Sequence, residues 1–256
     1  MTGGRCAINN MNKQSIQIYA RIIGVLFLLS FAAGGFGEAY VPSKLIVSAD
    51  ATATAQNIKG FDTLFRMGFA GYLVEAVCDI ALSLTLYVLL RPVRKDLSLL
   101  AAFFGLVGTA VFAAAELFYL APLLILGGVC DLKAFSPDQL NALALLSLKL
   151  FAYGGGMFTV FYGVAWVLRG YLIFRSGYLP KFLGVLMTVA GLAFITTNLL
   201  LVLAPAYASR DLLLLMLPGA LSLTVWLFVK GVDVPKWEAK AIGEVNKGIQ
   251  ASGTQG

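Results

Sequence analysis

The stretch FLGVLMTVAGLAFITTNLLLVL, residues 182–203, has 22 residues and no Asp, Glu, Lys or Arg. About 20 apolar residues in helical form cross a hydrocarbon core of about 30 Å, so this segment alone is long enough to span a bilayer. Working outward from it, five further segments have the same character: about 19–41, 64–90, 97–126, 140–174 and 212–229. The expected fold is all-α, a polytopic helical membrane bundle of about six transmembrane helices.

Composition agrees. Of 256 residues, 59% are hydrophobic and 12% charged, against about 25% charged in ordinary soluble domains. So apolar a chain cannot cover its own core in water, and lipid is the expected solvent and partner for most of its surface. The formal net charge is +6. The basic residues cluster at helix ends, which points to topology and anionic headgroups, and no basic run with interleaved aromatics would track nucleic acid. The absence of histidine excludes His-ligated zinc or haem and any nucleophile that needs His as its base. Cys6, Cys78 and Cys130 fall in the N-terminal tail, a helix and an outer loop. Neither a structural disulfide nor a thiolate metal cluster is expected, and no cofactor. Residues 22–33, preceded by Arg5, Lys13 and Arg21, resemble the apolar core of a signal peptide. The apolar run continues to Tyr40 and Val41, a length that suits a retained span.

Loop charges set the orientation. Of the 19 basic residues, thirteen fall in the N-tail, the second-to-third link, the fourth-to-fifth link (Arg169, Arg175, Lys181) and the C-tail. Lys44, Lys59, Arg66, Lys133 and Arg210 lie on the other side, and Lys149 within a span. The positive-inside rule then puts both termini in the cytoplasm, as an even number of spans requires. The expected organisation is a cytoplasmic tail over 1–18, a transmembrane domain over 19–230 and a second cytoplasmic tail over 231–256, in the cell membrane.

Local signals mark helix ends. Ser136-Pro137-Asp138-Gln139 reads as a capping box with proline at the first helical position. Gly177 and Pro180 stop that fourth helix and start the next. The fourth helix is about twice as long as the bilayer core, so it must tilt, protrude or break, and Gly154-Gly155-Gly156 offers a break or a close helix crossing. Residues 48–58 read as a short outer helix, and 234–249 as an interfacial segment with Trp237 at headgroup level.

Charges inside spans are costly, about 2.5–3.5 kcal/mol each on insertion scales, and mark functional sites. The candidates are Glu75 and Asp79, four apart on one face of the second span; Glu116 in the third; Lys149 in the fourth; and Asn198 in the fifth. Glu38 and Arg66 sit about one turn inside the outer ends of their helices, where snorkelling is the alternative. Tyr72, Tyr119 and Tyr153 lie one turn from Glu75, Glu116 and Lys149. Four acids face two bases, so protons, water or a cation must balance the group if it is buried together. The competing account is a Glu75–Lys149 or Asp79–Lys149 pair that only fixes packing.

The segments Tyr40-Val-Pro-Ser-Lys-Leu-Ile-Val47, Leu64-Phe-Arg66, Cys78-Asp79 with Leu86-Tyr-Val-Leu-Leu-Arg-Pro-Val93, Phe135-Ser-Pro-Asp-Gln-Leu140 and Gly170-Tyr-Leu-Ile-Phe-Arg-Ser-Gly-Tyr-Leu-Pro180 resemble bacterial membrane proteins grouped as domain of unknown function 4386. The resemblance runs over about 19–229. It implies a one-domain polytopic inner-membrane protein and brings no reaction, substrate or cofactor.

Three functions fit. The first is a small-molecule or cation/proton-coupled transporter with the acidic cluster as its pathway, and this ranks first. The second is a membrane sensor or assembly partner with structural charges. The third is an intramembrane lipid-modifying enzyme, which no nucleotide loop, metal motif or triad supports.

Overall fold

The computed structural model describes residues 2–128, 132–204 and 214–253, with side chains over 15–128, 132–204 and 214–244. The described residues contain helices and no strand. Helix α1 (Thr2–Gly34) passes into a π-helical segment, Gly35–Tyr40, and then α2 (Val41–Leu45). There follow α3 (Ala51–Gly60), α4 (Asp62–Leu90), α5 (Lys95–Leu126), α6 (Pro137–Ser176), α7 (Lys181–Leu203), α8 (Met216–Val229) and α9 (Val234–Gly253).

Five segments are long and apolar enough to cross a membrane: Ser15–Leu45, Asp62–Leu90, Lys95–Leu126, Pro137–Ser176 and Lys181–Leu203. A sixth is counted only if α8 and α9 form one bent span. Helix α8 has 14 residues, about 21 Å at helical rise, and α9 leaves it at 102°. Cys130, Arg210 and the expected start of this span at Leu212 lie outside the described residues.

The end signals operate as chemistry predicts. The Ser136 amide donates to Gln139 Oε1 at 2.8 Å, and the Gln139 amide donates to Ser136 Oγ at 3.3 Å, a reciprocal capping box. Gly177 takes φ +77° after α6, and extended Pro180 precedes α7. The short helix expected over 48–58 is present and begins at Ala51, where Asp50 Oδ1 accepts the Ala53 amide at 2.8 Å. Helix α6 does not break at its glycine triplet. It runs 40 residues, about 60 Å, and the triplet serves a crossing: a Cβ on Gly154 would collide with that of Ala115 on α5. The interruption falls instead at Gly35–Tyr40, where α1 widens to π geometry.

The described chain divides into two compact units, one of Met1–Leu28, Ile80–Leu106 and Val160–Gly256, the other of Leu29–Asp79 and Val107–Thr159. In the first, α6 and α7 cross antiparallel on glycines. A Cβ on Gly163 would lie 2.7 Å from the Gly191 carbonyl, and one on Gly184 would lie 2.6 Å from the Gly170 carbonyl. Lipid supplies no hydrophobic drive between helices, so close backbone approach at small residues holds such pairs together. Trp166 packs edge-on against Phe27 and Phe194 beside this seam. In the second unit an aromatic core joins Phe65, Tyr72, Phe112, Tyr119 and Phe151, with Phe65 and Tyr119 stacked at 4.3 Å.

Outward faces are apolar: Val77, Leu84, Leu117 and Val202 are each more than 60% exposed. Such surface is unfavourable in water and neutral in lipid.

Candidate intramembrane site

The second unit places α1 and the π segment against α4 at glycine contacts. A Cβ on Gly37 would sit 3.1 Å from the Gly68 carbonyl, and one on Gly71 would sit 3.0 Å from the Ala33 carbonyl. Because neither helix carries side-chain bulk there, Ser30, Gly34 and Glu38 are set beside the face of α4 that holds Glu75 and Asp79.

Asp79 is 3% exposed and accepts a hydrogen bond from Ser30 Oγ at 3.3 Å. The Glu75 carboxyl lies over Gly34, 2.7 Å from where a Cβ would be, and its Oε2 is buried without a hydrogen-bond partner. Glu116 on α5 is 1% exposed, and its Oε1 is likewise buried and unpartnered. Glu38 is exposed within the π segment. The Glu75 carboxyl is within Coulombic range of those of Glu38, Asp79 and Glu116. They do not form a metal centre: among the described residues no three His, Cys, Asp or Glu side chains come close enough to share an ion.

The nearby tyrosines have other duties. Tyr72 Oη donates to the Gly37 carbonyl at 2.8 Å, tying α4 to the π segment, and Tyr119 Oη donates to the Phe65 carbonyl at 3.3 Å. Tyr153 is exposed.

The other candidates stand apart. Lys149, expected in one polar cavity with the acids, is exposed on α6 and has no ion pair among the described residues, so the competing account of a pair with Glu75 or Asp79 is not met either. Arg66 pairs with Asp62 at 2.9 Å, one turn away on the exposed start of α4. Asn198 is buried on α7, in the first unit.

One buried charge escaped the sequence reading. Arg169, assigned to a loop, is inside α6 and 2% exposed. Its Nη2 donates to Ser83 Oγ on α4 at 3.2 Å, and its guanidinium lies 6.0 Å from the Tyr162 ring centre. Gly105 on α5 leaves it room, since a Cβ there would be 2.6 Å from Nη2. The available signal was the distance to the stop: Gly177 ends the helix two turns later, so Arg175 is the basic residue at the helix end.

These features define an α-helical bundle of the multi-pass membrane type that carries acidic side chains within its membrane-length helices. The chain belongs to the family described as Domain of unknown function (DUF4386), whose model matches residues 22–231. An uncharacterized protein of Archaeoglobus fulgidus is 32% identical over 130 residues, 51% of this chain. The match covers 64% of that relative's length. No solved structure matches the chain.

Proposed function

We propose that this protein is a small proton- or cation-coupled solute carrier whose coupling site is the acidic group of Glu75, Asp79, Glu116 and Glu38. The observation that carries this reading is the pair of buried, unpartnered carboxylate oxygens on Glu75 and Glu116. A buried carboxylate with no partner is costly, and a proton or a monovalent cation relieves that cost on arrival. Binding and release at such a group does chemical work that a satisfied ion pair cannot. The π segment at Glu38 adds a place where α1 can change register, as π-bulges at functional sites do. The basic loops orient the carrier in the cell membrane with both termini cytoplasmic, and residues 19–230 act as its one transmembrane domain.

The test uses the whole chain reconstituted in liposomes on a solid-supported membrane. Jumps of cationic amines, amino acids and sugars are applied with and without a pH gradient. At least one solute class should evoke a gradient-dependent current that Glu75→Gln and Glu116→Gln abolish and Lys149→Gln preserves. Silence with every solute, or a current indifferent to both carboxyl changes, refutes the carrier reading.

A further inference from the structure

Charged and aromatic side chains also gather toward the C-terminal end of the chain, at the bend between α8 and α9. We propose that the hollow at the α8–α9 bend binds the phosphate headgroup of an anionic phospholipid. The hollow is an open surface depression of about 440 Å³, lined by the α6–α7 link and by Trp226, Lys230, Gly231, Asp233 and Lys236. That volume suits a small ligand group.

Its walls are held in place by hydrogen bonds. Gln17 clasps the α8–α9 link from both sides: Nε2 donates to the Lys230 carbonyl at 3.0 Å, and Oε1 accepts the Val232 amide at 3.2 Å. The Asp233 amide donates to the Tyr178 carbonyl at 3.2 Å. Tyr178 Oη and Trp237 Nε1 both donate to the Leu89 carbonyl, at 2.7 and 2.9 Å, which joins the end of α4 to the α6–α7 link and to α9. Lys240 Nζ donates to the Arg175 and Ser176 carbonyls at the end of α6. The hollow is therefore preformed, and ligand binding need not order it.

The charge selects an anion. Lys230, with its Nζ 4.6 Å from the Trp226 ring centre, and Lys236 are exposed at the hollow. Lys181 stands next to the lining residue Pro180. The acid in the lining, Asp233, is paired with Lys236: its carboxylate meets Lys236 Nζ at 2.7 Å and accepts the Lys236 amide at 3.3 Å, so that pair is neutral and the net positive charge at the hollow comes from Lys230 and the adjacent Lys181.

The apolar surroundings select a lipid over a soluble phosphate. Phe182 on α7 and Val225 and Val229 on α8 are 50, 57 and 66% exposed, so an apolar face adjoins the basic hollow. A headgroup in the hollow leaves its acyl chains on that face. Trp226 lines the hollow and Trp237 follows on α9, which turns through 102° away from α8; tryptophan is enriched at the headgroup level of membranes. Basic pockets of this type between helices take anionic headgroups.

The test reads tryptophan quenching in the full chain reconstituted with brominated-tail phosphatidylglycerol or brominated-tail phosphatidylcholine. Phosphatidylglycerol should quench several-fold more efficiently at equal mole fraction. Trp226→Phe should remove most of that difference. The double variant Lys230→Gln/Lys236→Gln should abolish it, whereas Lys44→Gln/Lys59→Gln, with the same charge loss elsewhere, should retain it. Equal quenching by the two lipids, or a preference that survives the Lys230/Lys236 change, overturns the site. Displacement by glycerol phosphate at concentrations matching the lipid overturns the lipid assignment in favour of a soluble anion.

Discussion

At the scale of single residues, Gly34 and Arg169 carry the sharpest consequences. The atoms nearest to a methyl group at Gly34 all belong to the carboxyl of Glu75, the mobile end of a flexible side chain. Gly34→Ala should therefore cost little stability, under about 1 kcal/mol, while displacing that carboxyl and impairing solute-evoked current. Thermal unfolding in detergent, run beside the current measurement, separates the two effects. Arg169 is buried with Ser83 and Tyr162 as neighbours. Arg169→Ala should destabilise by about 2–5 kcal/mol, in the range of large-to-small core changes. Arg169→Lys should not restore stability, because an ammonium cannot reproduce the planar fork of a guanidinium. The melting temperatures of both variants check this.

At the scale of elements, helix contacts divide into yielding and unyielding ones. Where Gly170 meets Gly184 the obstacle is backbone: a Cβ on Gly170 would lie 2.7 Å from the Gly184 carbonyl. Gly184→Ala must push α6 from α7 and should cost about 1–3 kcal/mol, well above Gly155→Ala, where a Cβ meets open space; a side-by-side thermal shift decides it. The start of α9 gives a pH signature. The hydrogen bond from the Lys236 side chain holds the Asp233 carboxyl below its usual range. A lowered folded-state value means the stabilisation is fully present above about pH 4, the ordinary aspartate value, and is lost as pH falls through the folded value. Trp237 emission, read in a Trp226→Phe background as the difference from a Trp226→Phe/Trp237→Phe control that leaves Trp166 alone, should hold steady from neutral pH to about 4 and change below it. Asp233→Asn should remove that acid-range step.

These elements also show what was legible. The capping box at Ser136 and the stops at Gly177 and Pro180 could be read directly, because they depend on residues within one helical turn. The glycine triplet at 154–156 read as a break or a crossing, and a string of letters cannot choose between them. Ala115 on α5 decides for the crossing. The π segment after Gly34 had no local signature beyond its glycines.

At the scale of the whole molecule, orientation remains the property with the most direct test. Moving Arg169 from a loop into the bundle leaves twelve basic residues in the expected loops and tails of one side against five on the other, and on that count the positive-inside rule still predicts cytoplasmic termini. A C-terminal green fluorescent protein fusion should fluoresce, and a C-terminal alkaline phosphatase fusion should be inactive. The reverse pattern would place the C-terminus outside.

Composition and hydrophobic run length determined by themselves that this is an all-helical chain with membrane-length segments, because both are sums over neighbouring residues. They also nominated the acids, since charge inside an apolar run is visible at once. Which charges meet was decided only by tertiary structure. Glu75 and Asp79 share a face by spacing alone, but Gly34 at the Glu75 carboxyl, Lys149 turned outward, Arg66 paired with Asp62 and Arg169 drawn inside all depend on helix rotation and depth. Those are set by contacts between residues far apart in the chain, where close packing of glycines and aromatics settles what linear order leaves open.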